Sequence, residues 1–267
     1  MLRIDKHLVE KGFFSSREKA QDAILHKTVK VNGFITDKPS KLVADDAKIE
    51  IIDIFNRYVS RGGLKLEKAI ADFGLPFEGK QILDIGASTG GFTDCALKHG
   101  AIFCCSVDVG TAQLHPLLLN HPEIMSIEKK DFRELSLPDV GNRQFDFIVA
   151  DVSFISLTYL FPYFAPFIGN DGQLVLLIKP QFEAGNSFLN KSGIVTDEKG
   201  YKISIQKVVK EALNCGFHLN NLTISTLFES NKNVEFLSLF SKRNNAFTIH
   251  FDKLWEEIKM LKKTLRN

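Results

Sequence analysis

The sequence predicts a doubly wound α/β fold with a largely parallel sheet, preceded by a small α+β unit. Three observations predict it. From Arg57 onward, short apolar runs alternate with helical segments, as in a parallel sheet with helices on both faces. A glycine-rich turn follows the first of those runs. Ahead of them, the first fifty-odd residues read helix, helix, hairpin, strand. The 267 residues are 44% hydrophobic and include 23 phenylalanines, enough for a sizeable core in one or two domains, which excludes disorder and fibrous repeats. A net charge of +2 from 34 basic and 32 acidic side chains gives no chain-wide sign of nucleic-acid binding.

In the first segment, Ser15-Ser16-Arg17-Glu18 has the spacing of a capping box and opens a helix ending near His26. Thr28 to Thr36 places Asn32-Gly33 between two β-branched runs, the signal for a tight hairpin whose central residues both take positive φ. Lys48 to Ile54 supplies a further strand. Met1 to Ala44 carries nine basic against five acidic side chains, a local excess of four that suggests phosphate contacts from a small basic module.

The expected boundaries are a first domain over 1–56, a linker over 57–60 and a second domain over 61–267. Gly62 to Phe73 reads as a helix closed by Gly74, and strands are expected at Gln81–Ile85, Ile102–Val107, Ile124–Ile127, Phe145–Ala150, Gln173–Ile178, Leu219–Ser225 and Glu235–Phe240. The start MLRIDKHLVEKG lacks the apolar core of a secretory signal. Val152 to Ile168, the longest uncharged apolar-rich stretch, contains Pro162 and Pro166 and falls short of the ~20 apolar residues of a membrane span. Cys95, Cys104, Cys105 and Cys215 show no metal-ligand spacing, so no metal is expected, and the cysteines read as reduced residues of a cytoplasmic protein.

The chain Asp84-Ile-Gly86-Ala87-Ser88-Thr-Gly90-Gly91 runs from an apolar strand through a glycine-rich turn into a helix, at the edge of the sheet where ligands bind. The spacing is not the dinucleotide fingerprint, and no Walker lysine follows it. Asp108 ends the second strand, where a carboxylate can accept both hydroxyls of a ribose. After the third strand, Asp131 and Phe132 supply a carboxylate and a ring for an adenine. Together these residues resemble the donor site of S-adenosylmethionine-dependent methyltransferases. Gly86 and Gly90 then allow close backbone approach to the methionine part of the donor, with Asp84 holding the turn or, through water, the donor's amino group.

After the fourth strand, Ala150-Asp151-Val152-Ser153-Phe154 lacks the prolines of exocyclic-amine methyltransferases, and no cysteine nucleophile appears for pyrimidine carbon methylation. Instead an apolar strand delivers Lys179 into the cleft in Leu177-Ile178-Lys179-Pro180-Gln181-Phe182-Glu183. A lysine there needs a partner, and Asp151 on the neighbouring strand end can supply it.

The stretch RIDKHLVEKGFFSSREKAQDAILHKTVKVNG resembles the small RNA-binding domain named after ribosomal protein S-four. SRGGLKL, LDIGASTGGFTD, VDVGTAQL, ADVSFISL and LIKPQFE, in that order behind it, resemble the TlyA/hemolysin A family of bacterial rRNA (cytidine-2′-O)-methyltransferases. The resemblance implies a Rossmann-like class I methyltransferase sheet similar to FtsJ-type enzymes, S-adenosylmethionine as donor, and a catalytic tetrad of Lys65, Asp151, Lys179 and Glu235. It also implies rRNA in ribosomal subunits as partner, with Arg3, Lys6, Arg17, Lys19, Lys27, Lys30 and Lys41 as RNA contacts. The short stretch before Arg3 resembles forms acting on the large subunit. The chain departs from the family pattern at His26-Lys27, at Thr111-Ala112, and between Ser225 and Asn233. The competing readings are an RNA-binding protein with a non-catalytic methyltransferase-like domain and a membrane-lytic protein.

Overall fold

The computed structural model describes residues 2–14, 17–25, 28–51, 57–225 and 232–264. The chain divides into two compact units, Met1–Tyr58 and Val59–Asn267.

The first unit contains β1 (Leu2–Arg3), α1 (Ile4–Glu10), α2 (Arg17–Leu25), β2 (Val29–Val31), β3 (Phe34–Thr36), β4 (Leu42–Val43) and β5 (Ile49–Ile51). Asn32 and Gly33 take φ of 53° and 84°, so the expected hairpin forms between β2 and β3, and β5 completes a three-stranded sheet on the other edge of β2. The two-residue pair β1–β4 was not expected; strands that short leave no period to read. Ser15, His26, Lys27 and the end of the strand expected over 48–54 lie outside the described residues. Ile4, Leu8, Ala20, Ala23, Ile24, Val29, Val31 and Val43 form the small core.

Asp5 lies buried beside that core and receives bonds from Arg3 (3.1 and 3.0 Å), Arg17 (2.9 Å) and Gln21 (2.7 Å). Burial by itself raises its pKa, but the bonds from Arg3, Gln21 and Arg17 override it and hold the carboxyl well below the usual range.

The second unit runs α3 (Gly62–Phe73), β6 (Gln81–Ile85), α4 (Gly91–Lys98), β7 (Phe103–Val107), α5 (Pro116–Leu119), β8 (Ile124–Ile127), β9 (Phe145–Ala150), α6 (Phe161–Phe164), β10 (Ile168–Ile178), α7 (Pro180–Glu183), α8 (Glu198–Asn214), β11 (His218–Ile224), β12 (Phe236–Ser241) and α9 (Phe251–Thr264). Gly74 closes α3 in the left-handed conformation, at φ 63°. The seven strands lie in the order β11-β12-β10-β9-β6-β7-β8. All pairs from β8 to β10 are parallel, and β12 runs antiparallel to both neighbours. The order reverses at β6, whose partners are β7 and β9, and this opens a crevice at their carboxyl ends.

Burial on both faces explains the apolar strands: four of the five residues of β6 and five of the six of β9 are buried. On one side of the sheet Phe161 packs edge-on against Phe164 and Phe240 at centroid distances of 5.4 and 5.3 Å, which uses the aromatic surplus. β10 starts at Ile168 rather than Gln173, with a register shift between them, and Glu235 precedes β12 instead of opening it. Among the described residues no helix is long and apolar enough to cross a membrane, and no cluster of His, Cys, Asp or Glu is placed to hold a metal ion.

Candidate active site

The turn from β6 into α4 is held by its own backbone and by the strands beside it. Gly86, Ser88 and Gly90 all have positive φ (75°, 48° and 89°). A Cβ on Gly86 would lie 3.0 Å from Val152 Cγ1 and 3.3 Å from the Asp151 carbonyl oxygen, so this glycine lets the end of β6 close on the end of β9. A Cβ on Gly90 would run into Leu114 and Leu118, and one on Gly91 into Ser60 and Gly63. A side chain at either position would therefore collide with its neighbours.

Asp108, at the end of β7, accepts from the Ser88 amide (2.8 Å) and the Gly110 amide (2.7 Å). It therefore latches the glycine-rich turn as well as facing a cavity of about 440 Å³ lined by Gly86, Ser88, Asp108, Lys130, Asp131 and Phe132, among others. Asp131 caps the short helix that follows and is gripped by Arg133 at 3.0 and 2.7 Å; hydrogen bonding to Arg133 lowers its pKa. Phe132 is 4% exposed and packs on Phe164 and Phe167, so its ring belongs largely to the core and only borders the cavity.

Asp84 is 1% exposed and accepts from the Thr93 hydroxyl at 2.6 Å, and Ser106 Oγ lies 2.7 Å from that hydroxyl. Burial pushes its carboxyl up to about 7, against the lowering effect of the Thr93 bonds.

A second cavity, about 570 Å³, shares Gly86, Ser88, Asp151 and Ser153 with the first. Lys65, Asp151, Lys179 and Glu235 all line it. They come from α3, the end of β9, the end of β10 and the residue before β12. Lys65 Nζ is 2.8 Å from Glu235 Oε2 and 3.0 Å from Asp151 Oδ2, while Lys179 Nζ is 2.7 Å from Asp151 Oδ1. The result is one alternating chain, Glu235–Lys65–Asp151–Lys179. Desolvation works against charge at both central members, yet the two lysines hold the Asp151 pKa down, and Asp151 with Glu235 hold the Lys65 pKa up. Ala87 and Gly91 line this second cavity and not the first.

Three contributing residues were missed by sequence reasoning. Ser153 Oγ accepts from Lys179 Nζ at 2.7 Å. Glu183, buried on α7, accepts from the Leu157 amide (2.8 Å) and Ser156 Oγ (2.5 Å), tying the loop after β9 to the loop after β10; burial raises its pKa. Asn233 accepts from the Val195 amide and donates to the Gly193 carbonyl, which braces the approach to Glu235. Their only sequence signal was proximity to an assigned acid or lysine, which does not say where a side chain points.

Of the residues expected to touch RNA, Arg3 and Arg17 are tied to Asp5, with 40% and 47% of their side chains exposed. Lys6 and Lys41 are exposed and Lys30 is half-buried, whereas Lys27 and the side chain of Lys19 lie outside the described residues.

Residues 58–242 match the model of the FtsJ-like methyltransferase family. The chain belongs to the FtsJ-like methyltransferase family. Residues 2–49 match the S4 domain. Over 90% of its length the chain is 40% identical to a Brachyspira hyodysenteriae protein named Hemolysin A, covering 99% of that protein. It is 35% identical to the Mycobacterium tuberculosis 16S/23S rRNA (cytidine-2′-O)-methyltransferase TlyA, over 92% of each chain. A solved Streptococcus thermophilus structure described as a hemolysin covers 99% of this chain and 98% of its own at 36% identity, with a TM-score of 0.78.

Proposed function

We propose that this protein transfers a methyl group from S-adenosylmethionine to a ribose 2′-OH, that of a cytidine, in rRNA within ribosomal subunits. The observation that carries the reading is the convergence of Lys65, Asp151, Lys179 and Glu235 on a cavity that shares a wall with the cavity of Asp108, Asp131 and Phe132. The rRNA (cytidine-2′-O)-methyltransferase activity by which the Mycobacterium relative is named, at 35% identity over 92% of both chains, supports the same reaction.

The residues present fit the donor. Asp108 keeps lone pairs on both oxygens beyond its two amide bonds, enough to accept ribose hydroxyls, and Asp131 with the Phe132 edge borders the same space. When bound, the donor supplies an electrophilic sulfonium methyl. The chain's task is to position the acceptor, since in-line transfer needs reacting atoms ~3 Å apart. In this role Lys179, after releasing one ammonium proton to solvent, takes the 2′-hydroxyl proton as general base while the methyl passes from the sulfonium to the oxygen, Asp151 orients it, and Lys65 and Glu235 hold the ribose and set the local charge. Asp84 holds the turn beneath the donor and, through water, its amino group.

In this reading Met1–Asn56 is the RNA-binding domain, joined through 57–60 to the catalytic domain over 61–267, and the protein works in the cytoplasm. Lys6, Lys19, Lys27, Lys30 and Lys41 contact phosphates, with Arg3 and Arg17 doing so from their Asp5-bound positions. Large-subunit rRNA is the expected target. Incubation of purified protein with labelled donor and ribosomal subunits, followed by digestion to nucleosides, should yield labelled 2′-O-methylcytidine. Label in a base or in protein, or no label, would contradict the proposal.

A further inference from the structure

Lys179 is buried, with 8% exposure, and its Nζ is met from two sides. Asp151 Oδ1 lies 2.7 Å away in an ion pair, and Ser153 Oγ accepts a hydrogen bond at 2.7 Å. Ser153 borders both cavities, so its hydroxyl stands where donor and acceptor must meet. We propose that Ser153 is a positioning residue for Lys179, aiming the amine at the acceptor hydroxyl. The inference rests on the ribose methyltransferase reading and adds a residue to it.

A tetrahedral nitrogen has four directions, and in Lys179 one is the bond to Cε. The Ser153 hydroxyl takes a second, while Asp151 Oδ1 lies close outside hydrogen-bond geometry and holds the amine by charge alone, which leaves a direction for the lone pair of the neutral amine toward the cavity that Lys179 lines. With Asp151 alone, rotation about the last side-chain bond would sweep the reacting position around the ion pair. A hydroxyl stops that rotation without adding a charge to a cluster in which Lys65, Asp151 and Glu235 are already paired. A misplacement of about 1 Å at such a group costs up to a hundredfold in rate.

The loop that carries Ser153 is anchored independently of its hydroxyl. Glu183 binds Ser156 Oγ and the Leu157 amide, three and four residues further on. Ser153 itself is exposed. Ser153→Ala therefore removes the bond to Lys179 while leaving the loop and the ion pair with Asp151.

The test is single-turnover methyl transfer to ribosomal subunits by the full-length parent, Ser153→Ala and Ser153→Thr, with donor and RNA affinities measured alongside. The expected result is a rate about ten- to hundredfold lower for Ser153→Ala at saturating donor and RNA, unchanged affinity for both, and recovery of most of the loss in Ser153→Thr, which keeps the oxygen. Equal rates for parent and Ser153→Ala would overturn the inference, as would a loss that appears in donor affinity or that Ser153→Thr shares in full. Absence of transfer by the parent would overturn the methyltransferase reading and this inference together.

Discussion

Asp151 Oδ1 lies 2.7 Å from Lys179 Nζ, while the other oxygen of the same carboxylate lies 3.0 Å from Lys65 Nζ. One acid thus joins two lysines that would otherwise repel each other in a largely desolvated cleft. Asp151→Ala leaves both cations short of a partner, so it should cost about 3 kcal/mol of stability as well as activity. Methyl transfer should fall by at least about a hundredfold, with donor affinity within a few-fold of the parent because both carboxylate oxygens are paired with lysines rather than turned to the donor. Urea denaturation and calorimetric donor titration of the variant check the two halves separately. A variant of parental stability would contradict the shared-acid account.

Lys179→Arg distinguishes a base from a fixed cation. Guanidinium keeps the positive charge but cannot release a proton in the working range. If Lys179 accepts the hydroxyl proton, Lys179→Arg should be nearly as inactive as Lys179→Ala in single-turnover assays. Substantial retained activity in the arginine variant would assign Lys179 an electrostatic role instead.

If Asp84 serves the donor's amino group as proposed, donor binding should be sensitive to pH. Burial has raised its carboxyl to about 7, so in the free protein the group is neutral below that pH and charged above it. A donor carrying an amino cation prefers the charged form. Donor affinity should therefore rise as pH increases through about 7, with proton release on binding, and the slope should vanish in Asp84→Asn. A calorimetric pH series that is flat for the parent would remove Asp84 from the donor site.

In the first unit, two kinds of basic residue are separable. Lys6 and Lys41 are exposed, so Lys6→Ala or Lys41→Ala should weaken RNA binding and lower the salt slope by about 1 each without altering stability. Arg3 bonds to buried Asp5, so Arg3→Ala should lower stability and RNA affinity together, by about 1–2 kcal/mol for the former. Filter binding across a salt series, paired with thermal denaturation, checks both. Unchanged stability in Arg3→Ala would mean that Arg17 and Gln21 suffice for Asp5.

The strand pattern of the second unit was legible because both sheet faces are buried, which writes each strand as an apolar run. Asn32-Gly33 announced the hairpin, and Gly74 the end of α3, because positive φ narrows the choice of residue. The two-residue strands β1 and β4 carry no period, and α9 follows a polar stretch with no capping signal, so neither was read. Lys179 stood out as a charge at the end of an apolar strand. Lys65 did not, since lysines are routine on amphipathic helices, and it entered only through family resemblance. Gly90 and Gly91 were legible as glycines but not as packing positions, because the side chains that fill their space, Leu114, Leu118 and Ser60, are neighbours only after folding. Ser153 and Glu183 were hidden for the same reason: their partners lie 26 and 27 positions away.

Ribose methylation is tested by nucleotide-resolution mapping of 2′-O-methyl groups in rRNA of both subunits, from cells lacking this protein and from the same cells supplied with the parent or with Asp151→Ala. The expected result is a cytidine ribose methyl, in large-subunit rRNA, that is absent without the protein, restored by the parent and not restored by Asp151→Ala. Identical maps with and without the parent, or restoration by Asp151→Ala, would contradict it.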